Sequence, residues 1–415
     1  MEQAFRYRFY PTPEQEILLR KTMGCARLVY NRALAARTEA WYSSQEKIDY
    51  LKTSSLLTEW KKQEDLQFLN EVSSVPLQQG LRHLQKAFAN FWAGRAKYPN
   101  FKKKHNGGSA EFTKAAFRWK DGQVWLAKST VALPIRWSRE LPDGCEPSTI
   151  TVKLEPSGRW HVSLLLDNQT IRTLPKSDKV IGLDVGITSL IGTSNGDKIA
   201  NPKHFRRLRS KLKKAQKSLS RKQKGSNNRE KARCKVAIVH AQITDSRKDF
   251  LHKLTTQLVR ENQTIVVEGL AIKNMVSQPG LVVSTKRDWR TRRVKNQKLA
   301  LAISDASWGE LIRQLAYKCQ WYGRTFIKID RWFPSSKRCG NCGYIVEKFP
   351  LNIREWNCPK CGTKHDRDIN ASKNILAAGL AVAVCGANIR PDNLEVKRQL
   401  RKTRKGCYRN LIREY

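Results

Sequence analysis

No run of about eighteen apolar residues interrupts this 415-residue chain and no basic-then-apolar signal pattern opens it, so neither a membrane span nor an export leader is expected. Acids are scarce: 36 Asp and Glu stand against 79 Lys and Arg, a formal charge of +43. That excess goes far beyond what solubility requires. With no membrane segment to draw it to a lipid surface, the expected partner is a nucleic acid, bound with strong salt dependence. The cysteines lack a disulfide framework. Four of the ten fall in two close pairs, and Cys25, Cys145, Cys234, Cys319, Cys385 and Cys407 are scattered, as in a reducing cytoplasmic compartment. Internal repeats are not evident, and 12 Trp with 40% hydrophobic residues exclude a basic disordered tail. The length allows two or three domains with their own cores.

What is present begins with those paired cysteines. Cys339 and Cys342, then Cys358 and Cys361, form C-x2-C-x15-C-x2-C, a spacing in which two thiolate knuckles close a tetrahedral zinc site. Gly340, Gly343, Pro359 and Gly362 supply the permissive or pre-set backbone that so short a loop needs. All four ligands come from protein, which leaves no open position for substrate. One structural Zn²⁺ that folds the loop is expected.

From the N-terminus, Phe5, Tyr7 and Phe9 alternate with Arg6 and Arg8, as in a strand with one apolar face. Thr12, Pro13 and Gln15 read as a helix start with a capping box, and a helix should follow through Ala35 with Ile17, Leu18, Cys25, Leu28, Val29 and Leu34 available to a core. More helix is expected to about residue 96. The loop YPNFKKKH at 98–105 sets Lys102, Lys103 and Lys104 beside aromatics, a composition suited to phosphate and base contact. From there to about 170 alternating segments and turns at Lys120-Asp121-Gly122 and Pro156-Ser157-Gly158 predict a small antiparallel barrel or sheet, with the helical region inserted between its strands. Residues 203–235 carry fifteen Lys or Arg and a single acid, Glu230, on a helical hairpin. Like charges at that density call for a polyanion, which makes Arg206, Arg207, Arg209, Lys213 and Lys214 nucleic-acid candidates alongside Arg6 and Arg8.

Three acids stand out on this basic background. Asp184 interrupts the buried strand KVIGLDVGITSLIGTS between Gly182 and Gly186, Glu268 ends the strand QTIVVEGL, and HDRD at 365–368 opens a helix immediately after the last cysteine pair. An unpaired carboxylate in a buried strand demands a cation. Asp on one strand, Glu on a later strand and Asp at a helix start is the order of an RNase H-like nuclease, whose carboxylates hold two Mg²⁺ ions because hard cations need anionic oxygen. The segment SDASWGELIRQLAYKCQWYG should be one amphipathic helix and RTFIKIDRWFP a third strand.

FRYRFYPTPEQ, GCARLVYNRAL, YPNFKKK, GLDVGI, IVVEGLAIKNM, SDASWGEL, FPSSKRCGNCG and above all WNCPKCGTKHDRDINASKNI resemble the transposon-encoded TnpB (OrfB) family, compact relatives of type V CRISPR effectors, over nearly the whole chain. The resemblance implies an α+β multidomain protein: a wedge-like β-barrel (1–10 and 106–175), a helical recognition insert (11–105), a RuvC-like nuclease domain of RNase H fold (176–334 and 366–385), a zinc ribbon (335–365) and a basic tail (386–415). The nuclease domain would carry a basic hairpin at 203–260 and a lid at 271–298. It implies Asp184, Glu268 and Asp368 as catalytic ligands of two Mg²⁺ or Mn²⁺ ions, with Asp366 competing for the third place. Ser372 stands where the family usually has Ala. The implied partners are a guide RNA from the transposon end and target double-stranded DNA beside a short flanking motif, in a prokaryotic, nucleoid-associated setting. A non-cleaving RNA-guided binder, a DDE-type transposase or a zinc-ribbon RNA-binding protein are the rival readings.

Overall fold

The computed structural model describes residues 2–142, 144–167, 173–276, 297–347, 350 and 352–384. The lid expected over 271–298 falls for the most part, and the tail over 386–415 entirely, outside the described residues. The chain divides into two units, residues 1–171 with 207–246 and residues 172–206 with 247–415.

The first unit runs β1 (Gln3–Phe9), α1 (Pro13–Ser44), α2 (Tyr50–Trp60), α3 (Ser74–Trp92), β2 (Gly108–Thr113), β3 (Phe117–Lys120), β4 (Gln123–Leu126), β5 (Ile135–Arg136), β6 (Pro147–Leu154) and β7 (Trp160–Leu166). In β1 the period-two pattern buries Phe5, Tyr7 and Phe9 and leaves Arg6 and Arg8 exposed. Its five-stranded sheet has the order β2-β6-β7-β1-β5 with every pair antiparallel, and the hairpin β3-β4 contributes Val124 and Leu126 to the same core. The capping box opens α1 as its residue types require: Gln15 N–H donates to Thr12 Oγ1 at 3.3 Å and the Thr12 N–H returns to Gln15 Oε1 at 3.2 Å. Helix α1 continues to Ser44, nine residues beyond Ala35. Leu19, and not Ile17, faces the core, and Ile17 is 59% exposed. The three helices share a second core built on Val29, Leu34, Leu77, Leu81 and Leu84.

From residue 173 the elements are β8 (Val180–Val185), β9 (Ser189–Thr193), β10 (Lys198–Ala200), α4 (His204–Ser220), α5 (Asn227–Glu261), β11 (Thr264–Glu268), α6 (Ile272–Met275), α7 (Gln297–Ala306), α8 (Trp308–Trp321), β12 (Thr325–Ile329), β13 (Glu355–Asn357), β14 (Lys364–Asp366) and α9 (Arg367–Val384). The sheet of the second unit is ordered β10-β9-β8-β11-β12, antiparallel through β8 and parallel from β8 to β12. Strands β8 and β11 read as continuous apolar runs because both their faces are covered. On one face lies a core with Leu254, Leu258, Leu311 and Leu315, and on the other lies α9. The approach of α9 needs a bare backbone. A Cβ on Gly182 would sit 2.2 Å from the Ser372 carbonyl oxygen, and one on Gly379 would meet Val266 at 2.3 Å.

The helix expected through SDASWGEL is broken. Ser307 adopts a left-handed backbone, φ 55°, between α7 and α8. The break turns Trp308 inward, 3% exposed, where its indole N–H donates to the Gly186 carbonyl at 3.1 Å. At the far end of α5 the buried Arg324 donates to the carbonyls of Val259 (3.2 Å) and Arg260 (3.5 Å), placing a cation on the negative pole of that helix.

Candidate active site

Asp184 and Glu268 arrive together because β8 and β11 run parallel in register, Val267 opposite Leu183, so the next residue on each strand is one of the two acids. The carboxyl ends of parallel strands are where open α/β sheets place their ligand crevices. Asp368 joins them from the first turn of α9, its Cβ packed near Gly192 of β9. The three carboxylates line one cleft of about 560 Å³ with Trp308, Trp332, Arg354 and Arg367.

Burial first, then the charges of Glu268 and Asp368, push the Asp184 carboxyl up to about 7. Burial raises Glu268 as well. Carboxylates that hold one another's protons in this way are short of positive charge, and a divalent cation with oxygen preference fits the donor set. The Arg367 charge acts against this rise at Asp184, while Arg354 Nη1 lies 3.3 Å from Asp368 Oδ1 and Lys198 Nζ 3.9 Å from Asp368 Oδ2. The three acids do not draw together as the cysteines do. Among the described residues the cysteine set is the one whose ligand atoms all lie within 4.8 Å of one another.

Asp366 is engaged elsewhere. Its Oδ1 accepts the backbone N–H groups of Asp368 and Ile369, both at 3.1 Å, which makes it the N-terminal cap of α9, and its Oδ2 is 2.6 Å from Lys198 Nζ. Those contacts hold its carboxyl below the usual range against the opposing effect of burial.

The four sulfurs form a compact group. Cys339 and Cys361 are 3.7 Å apart and Cys342 and Cys358 3.5 Å. A tetrahedron with zinc–sulfur bonds of about 2.3 Å has edges of roughly 3.8 Å, so the set fits one such ion. Four crowded thiols cannot all ionise unaided: the Thr363 hydroxyl and amide pull Cys361 down to about 5. His365 Nε2, 3.0 Å from Cys339 Sγ and stacked on Trp356, braces the cluster from outside. Two asparagines one turn apart tie it to α9. Asn370 takes the Gly340 N–H at 2.9 Å and donates to the Arg338 carbonyl at 2.7 Å, and Asn374 donates to Ser335 (2.8 Å) and Arg338 (2.7 Å).

Of the basic candidates, Arg8, Lys103, Lys104, Arg206, Arg207, Arg209, Lys213 and Lys214 are exposed. Arg6 is paired with Glu155 at 2.7 Å, and Lys102 places its ammonium 4.1 Å from the centre of the Tyr30 ring. Sequence reasoning missed Lys198, Arg354, Trp332, Asn370 and Asn374. Only the asparagines left a signal, two amides at helical spacing on a face otherwise apolar.

Three family models match the chain: OrfB_IS605, described as "Probable transposase", over residues 161–278; the Cas12f1-like TNB domain over 308–375; and a helix-turn-helix domain of OrfB_IS605 over 1–46. The last covers β1 and α1. A Streptomyces pristinaespiralis protein named "Putative RNA-guided DNA endonuclease" is 57% identical over 94% of this chain and 92% of its own. The Escherichia coli K12 protein "Putative RNA-guided DNA endonuclease InsQ" is 33% identical over 92% of this chain and 94% of its own. In fold, the Cas12f1 protein of a cryo-EM complex with single-guide RNA and target DNA superposes with a TM-score of 0.53 at 15% identity, over 90% of this chain and 98% of that one. No helix among the described residues is long and apolar enough to cross a membrane. With two bacterial relatives matched nearly end to end, one of them at more than half of its positions, the chain belongs to the TnpB (OrfB) family.

Proposed function

We propose that this chain is an RNA-guided DNA endonuclease that hydrolyses a phosphodiester in the cleft shared by Asp184, Glu268 and Asp368. The observation that carries the reading is the convergence of three acids from β8, β11 and α9 on one cavity, with Asp184 half-buried and within reach of the charges of the other two. The strand order β10-β9-β8-β11-β12, three antiparallel strands followed by two parallel ones, supports a RuvC-like domain of RNase H type. The names of the two relatives and the overall charge of +43 support nucleic acid as the substrate and RNA as the guide.

Asp184, Glu268 and Asp368 would hold two Mg²⁺ or Mn²⁺ ions. When bound there, such ions supply an activated water and stabilise the leaving 3′ oxygen. The chain does the rest. Arg354 and Lys198 orient Asp368, and Asp366 fixes the start of the helix that carries it. Trp332, 70% exposed on the rim, offers a flat apolar face to a sugar or base of the entering strand. The cysteine cluster, holding one structural Zn²⁺, anchors the front of α9 through Asn370 and Asn374. In this reading the sheet at 2–10 and 106–167 and the helices at 13–92 are the wedge and recognition parts, which bind the guide and read the flanking motif, while base pairing selects the sequence.

The test is cleavage of a plasmid library with a randomised flanking motif, with and without co-purified RNA, by the wild type and by Asp184→Ala. RNA-dependent cleavage that leaves 5′ phosphate and 3′ hydroxyl ends and vanishes in the variant is expected. Full activity in Asp184→Ala overturns the site, and cutting without RNA overturns guidance. The transposase reading, kept by the description of the OrfB_IS605 model, predicts joined strands instead.

A further inference from the structure

Arg37 is 5% exposed and has no hydrogen-bond or ion-pair partner among the described residues. Its guanidinium lies 4.3 Å from the centre of the Phe88 ring, and burial lowers its pKa against the opposing effects of Asp49 and Tyr98. The guanidinium keeps five N–H donors with no described partner, and none of its nitrogens is among the fully enclosed unpartnered atoms, so they are open to whatever occupies the space beside it. It sits in the wall of a cavity of about 390 Å³ between the C-terminal half of α1 and the end of α3. Trp41, Phe88, Phe91, Trp92 and Tyr98 form its aromatic walls, and Glu46, Lys47 and Ile48 complete the lining.

The aromatics are held in place and yet open. Tyr98 stands edge-on to both Phe88 (5.5 Å, 88°) and Phe91 (5.3 Å, 82°), with its hydroxyl 2.7 Å from that of Thr38. Trp92 leans on Phe88 at 5.4 Å and remains 55% exposed, and Trp41 is 41% exposed with Lys47 near its ring. Exposed aromatic faces around a donor-only cation, on a chain this basic, match one ligand chemistry: a flat π-system carrying hydrogen-bond acceptors and attached to a phosphate backbone.

We propose that this pocket receives a single unstacked guanine of an RNA strand, the ring stacking against Trp92 or Trp41 and the O6 and N7 acceptors facing Arg37. Among the bases, guanine presents the paired acceptors that an arginine fork fits. RNA is the source because its loops and bulges present splayed bases, whereas a DNA duplex does not. The proposal rests on the reading of the chain as a nucleic-acid-binding protein but not on its cleavage chemistry.

The experiment measures binding of labelled ten-nucleotide strands to the full chain in EDTA, so that the acids of the cleft play no part. The strands are oligo-U, oligo-U with one central guanine, adenine or cytosine, and the deoxy counterpart of the guanine strand. One guanine should raise affinity about tenfold over oligo-U, adenine and cytosine less. Arg37→Met, which keeps the length and stacking of the side chain, should erase the guanine advantage while leaving oligo-U affinity unchanged, and Trp92→Ala should weaken the guanine strand about tenfold with an unaltered thermal melt. No guanine preference in the wild type, or an undiminished one in Arg37→Met, overturns the pocket. A tenfold preference for the deoxy strand overturns the RNA assignment. Failure to bind any strand at low salt counts against the nucleic-acid reading itself.

Discussion

Replacing Asp184 with Asn should stabilise the metal-free protein while abolishing its activity. A carboxyl with an ordinary value of 3.8 that burial and the charges of Glu268 and Asp368 raise to about 7 keeps its proton in the fold at pH values where the unfolded chain has released it. The native state then binds more protons than the unfolded state, so stability falls as pH rises. The contribution is fully present below about 4 and is lost progressively as pH climbs through 7. A displacement of that size corresponds to roughly 4 kcal/mol between the two limits. The amide of Asn is neutral at every pH and escapes the loss. Thermal melts in EDTA at pH 5 and pH 8.5 would show it. For a unit of this size 1 kcal/mol moves the midpoint by about 2–4 °C, so at pH 8.5 Asp184→Asn should melt on the order of 10 °C above the wild type, with a much smaller gap at pH 5. Saturating Mn²⁺ should narrow or reverse the order, since the ion binds only the folded wild type with full affinity. An Asn variant no more stable than the wild type at pH 8.5 would refute the reasoning that Asp184 is a strained, cation-seeking acid.

Other outcomes follow from neighbouring geometry. Asp366→Ala removes a helix cap and should lower stability by about 1 kcal/mol with cleavage reduced but measurable, whereas Asp368→Ala should reduce cleavage at least a thousandfold with no loss of thermal stability; single-turnover rates and melts on both variants separate the roles. Elemental analysis should find one zinc per wild-type chain and none in Cys358→Ser, and limited proteolysis of that variant should open residues 335–365 before any other described segment. Gly182→Ala thrusts a methyl group against the Ser372 carbonyl and should destabilise by about 3 kcal/mol or more, read as a lower urea midpoint.

How much of this was legible in the residues depends on how local each cause is. The four-cysteine cluster was readable because two C-x2-C turns fix their sulfurs locally. The order of the three acids was visible too, since Asp184 interrupts an apolar run, Glu268 ends one and Asp368 lies at a helix start. Choosing between Asp366 and Asp368 was open from spacing alone, because either can begin a helix; the backbone N–H groups of Asp368 and Ile369 converge on Asp366 and leave Asp368 to the cleft. The break at Ser307 was hidden since helical periodicity continues on both sides of it, and only the Trp308 indole reaching Gly186 supplies a reason. Ile17 and Leu19 are both plausible on the pattern, and packing against the sheet picked Leu19. Arg37 looked like one more charge among 79, and it differs in being enclosed without the hydrogen bonds that the buried Lys318 and Arg324 make.

Manganese binding followed by electron paramagnetic resonance on the RNA-loaded protein tests most directly whether the acids act together. Two bound Mn²⁺ per chain are predicted for the wild type with a non-cleavable strand in the cleft, with loss of at least one ion in each of Asp184→Asn, Glu268→Gln and Asp368→Asn. Undiminished occupancy in any of these variants, accompanied by wild-type cleavage, would contradict a shared site.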